Sequence, residues 1–259
     1  KKHIKKGDIY EVNFCQEFYG KGELNPVKVY QRLNKISPTP FSCYGKFHSK
    51  YLISASPERF IKKEANKIIS QPIKGTIKRG KNKQEDKELI KKLKNDKKER
   101  AENIMIVDLV RNDLSRTAKK GSVKVDELCG IYSFEQVHQM ISTISCEIKS
   151  DENYVNIIKN AFPMGSMTGA PKIRAMKLIE KYEKTKRGLY SGAVGYISPE
   201  RNFDFNVIIR SMLYNSESKY LSFIVGGAIT SLSVPEKEYE ECILKAEAMI
   251  KTLNNSTKA

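Results

Sequence analysis

Four short runs, DIYEVNF (8–14), FSCYGKF (41–47), YLISAS (51–56) and KIISQPI (67–73), concentrate β-branched and aromatic residues between Gly, Pro and Ser. That composition reads as strands bounded by turns. The stretch 84–116 has helical spacing, and HQMISTISCEI (138–148) opens a second strand set. A helix over 151–161, a glycine-rich loop and a helix over 171–184 come next. Strands at SGAVGYIS (191–198), FDFNVIIRSM (203–212) and YLSFIVGGAIT (220–230) then precede a last helix over about 234–253. Adjacent strands share hairpin-length turns, and helices stand between strand groups rather than after every strand. The expected class is therefore α+β, a large α/β sandwich with mostly antiparallel sheets, rather than a doubly wound parallel fold.

The 259 residues carry no long linker, low-complexity segment or short repeat, so they read as one domain over 1–259. No apolar run approaches the length of a membrane span, and KKHIKKGDIYEVNF has no apolar stretch or cleavage site of a secretory signal, which points to a cytoplasmic protein. The five cysteines are scattered, without a CxxC pair, and only three histidines are present. These counts argue for reduced thiols and against zinc. The formal net charge of +17 raises the alternative of a basic nucleic-acid-binding module. Its lysines are mixed with acids, as in KNKQEDKELIKKLKNDKKER (81–100), the pattern of a solvated helix face. The expectation is no nucleic acid and no membrane.

Two carboxylate pairs stand at helical spacing. Asp96 can cap a helix with Glu99 at the capping-box position, which sets Glu99 and Glu102 on one face. Ser233 can cap a second helix with Glu236, Pro235 suits its first turn, and Glu238, Glu241 and Lys245 share a side. Carboxylates from separate helices suit an oxygen-preferring cation such as magnesium. In PMGSMTGAPK (163–172), small residues precede Pro171, so free backbone N–H groups would face an anion. The spacing is not that of a nucleotide P-loop. In FIVGGAIT (223–230), Gly226 and Gly227 allow close backbone approach to a ligand.

In their order, SPERF (56–60), QPIKGT (71–76), AENIMIVDLVRNDLSR (101–116), GSMTGAPK (165–172), LYSGAVGYIS (189–198), NVIIRS (206–211) and GGAITSLSVPEKEYEE (226–241) resemble the chorismate-utilising enzymes. That family includes anthranilate synthase component I, aminodeoxychorismate synthase component I, isochorismate synthase and salicylate synthase. The resemblance covers almost the whole chain and implies the chorismate-binding catalytic domain and its fold, without the N-terminal domain of larger relatives.

The resemblance also implies roles. Lys74 stands where anthranilate synthases have Ala and aminodeoxychorismate synthases have Lys. Its amine would attack carbon 2 of chorismate as the ring hydroxyl leaves, and ammonia would later displace the enzyme, two easier steps in place of one. The amine must be neutral to attack, so burial beside a metal is expected to lower its pKa. Glu58 resembles the general acid and is expected to be held protonated. Glu102 and Glu241 correspond to direct magnesium ligands, with Glu99 and Glu238 holding metal-bound water. Gly75, Thr76, Thr168, Gly226, Gly227, Ala228 and Lys245 match substrate-binding positions, and Tyr190 and Arg210 match those that bind the enolpyruvyl carboxylate. Without a glutaminase context of its own, the chain implies a glutamine amidotransferase partner that supplies ammonia.

Four residues depart from the family pattern. Ala228 stands for a frequent third Gly, Glu11 for a Gln or Lys, and Met164 for a smaller residue. Gln139 occupies the position that is His in anthranilate synthases.

Overall fold

The computed structural model describes residues 1–254. In chain order the elements begin with helix α1 (Lys2–Lys5), strand β1 (Glu11–Lys21), helix α2 (Pro26–Ile36), and strands β2 (Phe41–Phe47) and β3 (Lys50–Ser56). Strands β4 (Arg59–Glu64), β5 (Lys67–Gln71) and β6 (Ile73–Lys78) precede helices α3 (Lys83–Asn95) and α4 (Lys97–Ser115). Strands β7 (Lys124–Ser133) and β8 (Val137–Glu147) lead to helix α5 (Tyr154–Ala161), a 3-10 turn at Gly165–Met167, the two-residue strand β9 (Gly169–Ala170) and helix α6 (Lys172–Tyr182). Strands β10 (Ala193–Ile197), β11 (Phe203–Val207), β12 (Ser211–Asn215) and β13 (Tyr220–Ile229) come before helix α7 (Pro235–Asn254). Among the described residues no helix is long and apolar enough to cross a membrane.

The chain forms two compact units. The first takes Lys1–Pro57, Thr168–Ala193 and the segment from Val207 onward; the second takes Glu58–Met167 and Val194–Asn206. In the first unit six strands run in the order β2-β3-β12-β13-β1-β9. The pairing is antiparallel, and its longest ladder joins β1 to β13 from Val12↔Ile229 to Lys21↔Tyr220. Helices α2 and α7 cover this sheet through Val29, Leu33, Cys242, Ala246 and Met249, packed on Ile53, Met212, Phe223 and Val225. The four-residue spacings Val29–Leu33 and Cys242–Ala246 put these side chains on one face of each helix.

The second sheet orders β10-β11-β4-β5-β8-β6, with β7 also paired to β8. KIISQPI, expected as one strand, is divided at Pro72, which has no N–H to give a ladder. Strands β5 and β6 run on along β8 as Ile68↔Cys146 and then Ile73↔Ile141. The expected 84–116 helix also divides, at Asp96, whose carboxylate accepts from the Lys98 and Glu99 N–H groups at 2.9 and 3.0 Å. This is a side-chain N-cap with its donors satisfied. Asp96→Ala is expected to remove about 1 kcal/mol of stability, a fall of about 2–4 °C in the unfolding midpoint on a thermal melt.

Two further expectations are corrected. FDFNVIIRSM is not one strand but two, β11 and β12, separated at Arg210, whose φ is 49°. Ser233 turns back rather than capping the last helix: its hydroxyl accepts from Thr230 N–H at 3.0 Å and donates to the Ala228 carbonyl at 3.3 Å. Helix α7 begins at Pro235, a residue suited to a first turn because its missing N–H would have no helical partner.

Candidate active site

In the second unit, Lys74 lies on β6 beside helix α4. Its side chain is 13% exposed and its Nζ stands 3.5 Å from Glu102 Oε2. The same carboxylate has Lys98 Nζ at 3.8 Å from its other oxygen. Glu99, one turn before Glu102, has its carboxyl pushed above the usual range by burial and then by the negative charge of Glu102. A buried carboxylate pair of this kind is stabilised by added positive charge. The motif lysine is therefore enclosed against the acid expected to bind metal, unlike the surface lysines around it.

Backbone geometry aims Lys74. Between Ile73↔Ile141 and Thr76↔Gln139, β6 advances three residues while β8 advances two, which is a β-bulge at Lys74–Gly75. Gly75 has φ of 98°, and a β-carbon there would lie 3.2 Å from Met140 Cβ and 3.3 Å from both Glu99 Cβ and Glu99 Oε2. Only glycine meets both the left-handed backbone and the close approach of α4. Thr76, past the bulge, is exposed.

Glu58 is 5% exposed and accepts a hydrogen bond from the Ser166 hydroxyl at 2.7 Å. Arg59, the next residue, makes a two-pronged pair with Asp204 at 2.9 Å per contact. Gln139, on β8, is 2% exposed, and its Oε1 has no hydrogen-bond partner among the described residues.

In the first unit, Gly227 plays a packing role similar to that of Gly75. A β-carbon at Gly227 would stand 3.3 Å from Glu238 Oε2 and 4.0 Å from Glu241 Oε1, so the bare strand lets both carboxylates settle over it. Lys245 Nζ is 2.7 Å from Glu241 Oε1 and donates to the Gly226 carbonyl at 2.9 Å, tying α7 to β13. Ala228, 8% exposed, pairs with Asn13 on β1. Arg210 stands at the β11–β12 junction, where its carbonyl accepts from Ala55 N–H at 3.2 Å.

Tyr190 is 6% exposed, and its hydroxyl oxygen accepts from the Cys15 thiol at 3.6 Å. Burial pushes the Cys15 thiol up to about 12 and the Tyr190 hydroxyl well above its ordinary value, so both keep their protons near neutrality. A partly buried ion pair supports them: Arg187 grips Glu183 at 2.6 and 2.8 Å and also donates to the Asn13 carbonyl at 2.9 Å. Glu183 in turn accepts from Cys15 N–H at 2.9 Å. This pair pins the turn that carries Tyr190 to β1.

The glycine loop at 163–172 departs from its expected form. Gly165–Met167 make a 3-10 turn, and Gly169 and Ala170 pair with Val12 and Glu11. Its carbonyls are drawn into this pairing: Thr168 accepts from Asn13 N–H and Ala170 from Tyr10 N–H, both at 2.8 Å. Pro171 is the cap before α6, and Lys172 is its first helical residue. The loop's glycine is set by close approach, since a β-carbon on Gly169, at φ of 145°, would fall 2.2 Å from the Glu11 carbonyl oxygen. Thr168, Glu11 and Met164 are buried at 3, 1 and 4% exposure.

Within the second unit the structure thus gathers Lys74, Gly75, Glu99 and Glu102; within the first it gathers Gly226, Gly227, Glu238, Glu241 and Lys245. Sequence reading missed Asn103, Ser166, Glu183 and Arg187. The last two had a legible signal in their i,i+4 spacing. Among the described residues, no group of three or more His, Cys, Asp or Glu side chains is placed to hold a metal on its own.

Each unit carries a mostly antiparallel sheet; the second holds a lysine enclosed against a carboxylate pair, and the first holds another carboxylate pair over a bare glycine. The chain belongs to the chorismate binding enzymes, whose family model matches residues 1–251. It is 39% identical to anthranilate synthase component 1 of Aquifex aeolicus over 98% of this chain and 51% of that one. It is equally 39% identical to aminodeoxychorismate synthase component 1 of Salmonella typhimurium, over 97% of this chain and 55% of the relative. The crystal structure of anthranilate synthase component I from Streptococcus pneumoniae superposes with a TM-score of 0.87 at 31% identity, covering 96% of this chain and 55% of that chain. The chain spans about half the length of these relatives.

Proposed function

We propose that the chain is the catalytic part of an aminodeoxychorismate synthase component I. It converts chorismate and ammonia to 4-amino-4-deoxychorismate on the route to p-aminobenzoate and folate, in the cytoplasm. The observation that supports this reading is Lys74 itself, an amine that the bulge of β6 turns away from solvent and toward Glu102 at 3.5 Å. A nucleophilic lysine divides one substitution into two: the amine bonds to carbon 2 while the ring hydroxyl leaves as water on a proton from Glu58, and ammonia then displaces the lysine. The Ser166 hydroxyl would orient the Glu58 carboxyl for that transfer.

Magnesium is part of the proposal. The proposed direct oxygen donors are Glu102 and Glu241, with Glu99 and Glu238 holding metal-bound water and substrate oxygens completing the shell. The raised carboxyl of Glu99 beside Glu102 fits a place that receives positive charge. When bound, the ion would neutralise the ring carboxylate of chorismate. Gly75, Thr76, Thr168, Gly226, Gly227, Ala228 and Lys245 are the proposed substrate contacts. A separate glutamine amidotransferase is proposed as the ammonia source.

The second reading is anthranilate synthase component I, favoured by the 31% identity and 0.87 TM-score to the Streptococcus pneumoniae structure. Incubation with chorismate, Mg²⁺ and an ammonium salt, followed by mass spectrometry of the products, separates the two. Aminodeoxychorismate supports the first reading, anthranilate the second, and unchanged chorismate overturns both.

Arg210 is proposed to grip the enolpyruvyl carboxylate together with Tyr190. Arg210→Lys is expected to raise KM for chorismate about tenfold, since the loss of one two-pronged charged contact is worth roughly 1–2 kcal/mol and lysine cannot form it. Steady-state kinetics over a chorismate series reads this directly, and unchanged KM removes Arg210 from the substrate contacts.

A further inference from the structure

The β-bulge at Lys74–Gly75 shifts the register between β6 and β8, so the two strands need another tie at that point. Asn103 stands at that place. It is the residue after Glu102 on α4 and is 1% exposed. Its Nδ2 lies 3.3 Å from the Lys74 carbonyl oxygen and 3.4 Å from the Met140 carbonyl oxygen, on the two strands that the bulge separates. Its Oδ1 accepts from the Ser142 hydroxyl at 2.5 Å, and Ser142 Oγ in turn accepts from Cys129 N–H at 2.9 Å. The direction of this chain is fixed by chemistry. Two carbonyls can only accept, so the amide nitrogen must face them, and the hydroxyl that already receives an N–H must give its proton to the amide oxygen.

We infer that Asn103 is a positioning residue for Lys74: its side-chain amide bridges the two strands at the bulge and holds the bulge in the form that turns the lysine toward Glu102. The inference rests on the reading of Lys74 as the reacting amine. Helix α4 thereby fixes both partners of the 3.5 Å contact from successive positions, Glu102 by its carboxylate and Lys74 through its backbone. Asn103 touches no reacting atom in this account and acts only through the placement of the amine.

The test compares Asn103→Ala with Ser142→Ala in the full chain, measuring kcat, KM for chorismate, thermal stability and the rate at which chorismate forms an adduct on the peptide that contains Lys74. Ser142→Ala breaks the same buried network but leaves both carbonyl contacts of Asn103 in place. Asn103→Ala is expected to lower kcat and the adduct rate roughly a hundredfold, the loss that a misplacement of about 1 Å can cause. KM should stay within about threefold, because the substrate contacts are other residues. Ser142→Ala should lose comparable stability with a much smaller fall in kcat. Asn103→Ser, too short to reach both carbonyls, serves in place of the alanine variant if that one unfolds, with the same expectation. Equal losses of kcat in the Asn103 and Ser142 variants, or a wild-type kcat in Asn103→Ala, overturn the inference. A wild-type protein that makes neither aminodeoxychorismate nor a Lys74 adduct defeats the parent reading instead, so the two failures are told apart.

Discussion

Lys74→Ala is expected to bind chorismate with little change and to lose aminodeoxychorismate formation by on the order of 10⁴-fold or more, in the direction of the losses seen when a covalent nucleophile is removed. The reason is local. The substitution removes one enclosed amine, while Gly75, the Glu99–Glu102 pair and the Glu58–Ser166 hydrogen bond keep their own supports. Because the amine neutralises part of the Glu102 charge, its loss leaves a buried carboxylate with Lys98 at 3.8 Å, so a modest drop in stability accompanies the loss of turnover. In wild-type protein, chorismate with Mg²⁺ and no ammonia should leave on the Lys74 peptide a mass gain of one chorismate less one water. Ammonia attacking carbon 2 directly in the alanine variant would give anthranilate-type products. Wild-type rates from Lys74→Ala, with no adduct on that peptide, would falsify the nucleophile assignment.

The second large effect is expected from Glu102→Gln. This carboxylate has two proposed duties, holding Mg²⁺ and facing Lys74, and the amide keeps its shape while losing its charge. Turnover should fall by roughly a thousandfold, as expected when a charged contact worth several kcal/mol at the transition state is lost. Raising Mg²⁺ should recover part of it if weakened cation binding is the cause. Glu99→Gln, one turn away, should show a smaller loss. Turnover in Glu102→Gln that equals wild type at low Mg²⁺ removes Glu102 from the metal-binding set.

What the sequence made legible was whatever has a local cause. Asp96 could be read as a cap because its acceptor serves N–H groups two and three residues on. Strands β2 and β3 match their β-rich runs because side-chain alternation and turn residues specify them. Helix α2 was overlooked, although Asn25 before Pro26 is a start signal: Asn25 accepts from Lys28 N–H at 3.1 Å. Strand β7 escaped because Cys129, at φ of 56°, and two register shifts break its alternation. The glycine at 75 was visible as part of a motif, but the bulge was not, since a bulge is a property of two strands and only one is present in a local window. The same holds for Asn103, whose donors meet carbonyls 29 and 37 residues away.

The β1–β13 ladder also has a kinetic meaning. Ten successive pairs join residues 12–21 to residues 220–229, and they form the inner seam of the first unit's sheet. During synthesis that seam cannot begin until residues past 220 are available, so the apolar faces of β1 and β3 have no complete sheet to enter until then. The second unit's strands β4 to β8, by contrast, lie within one continuous stretch, Arg59–Glu147. Joining two ends separated by about 200 residues adds little entropy beyond that of a much shorter loop, because the penalty grows only with the logarithm of length. The burden falls on rate rather than on stability, and non-local pairing of this kind is what slows sheet proteins.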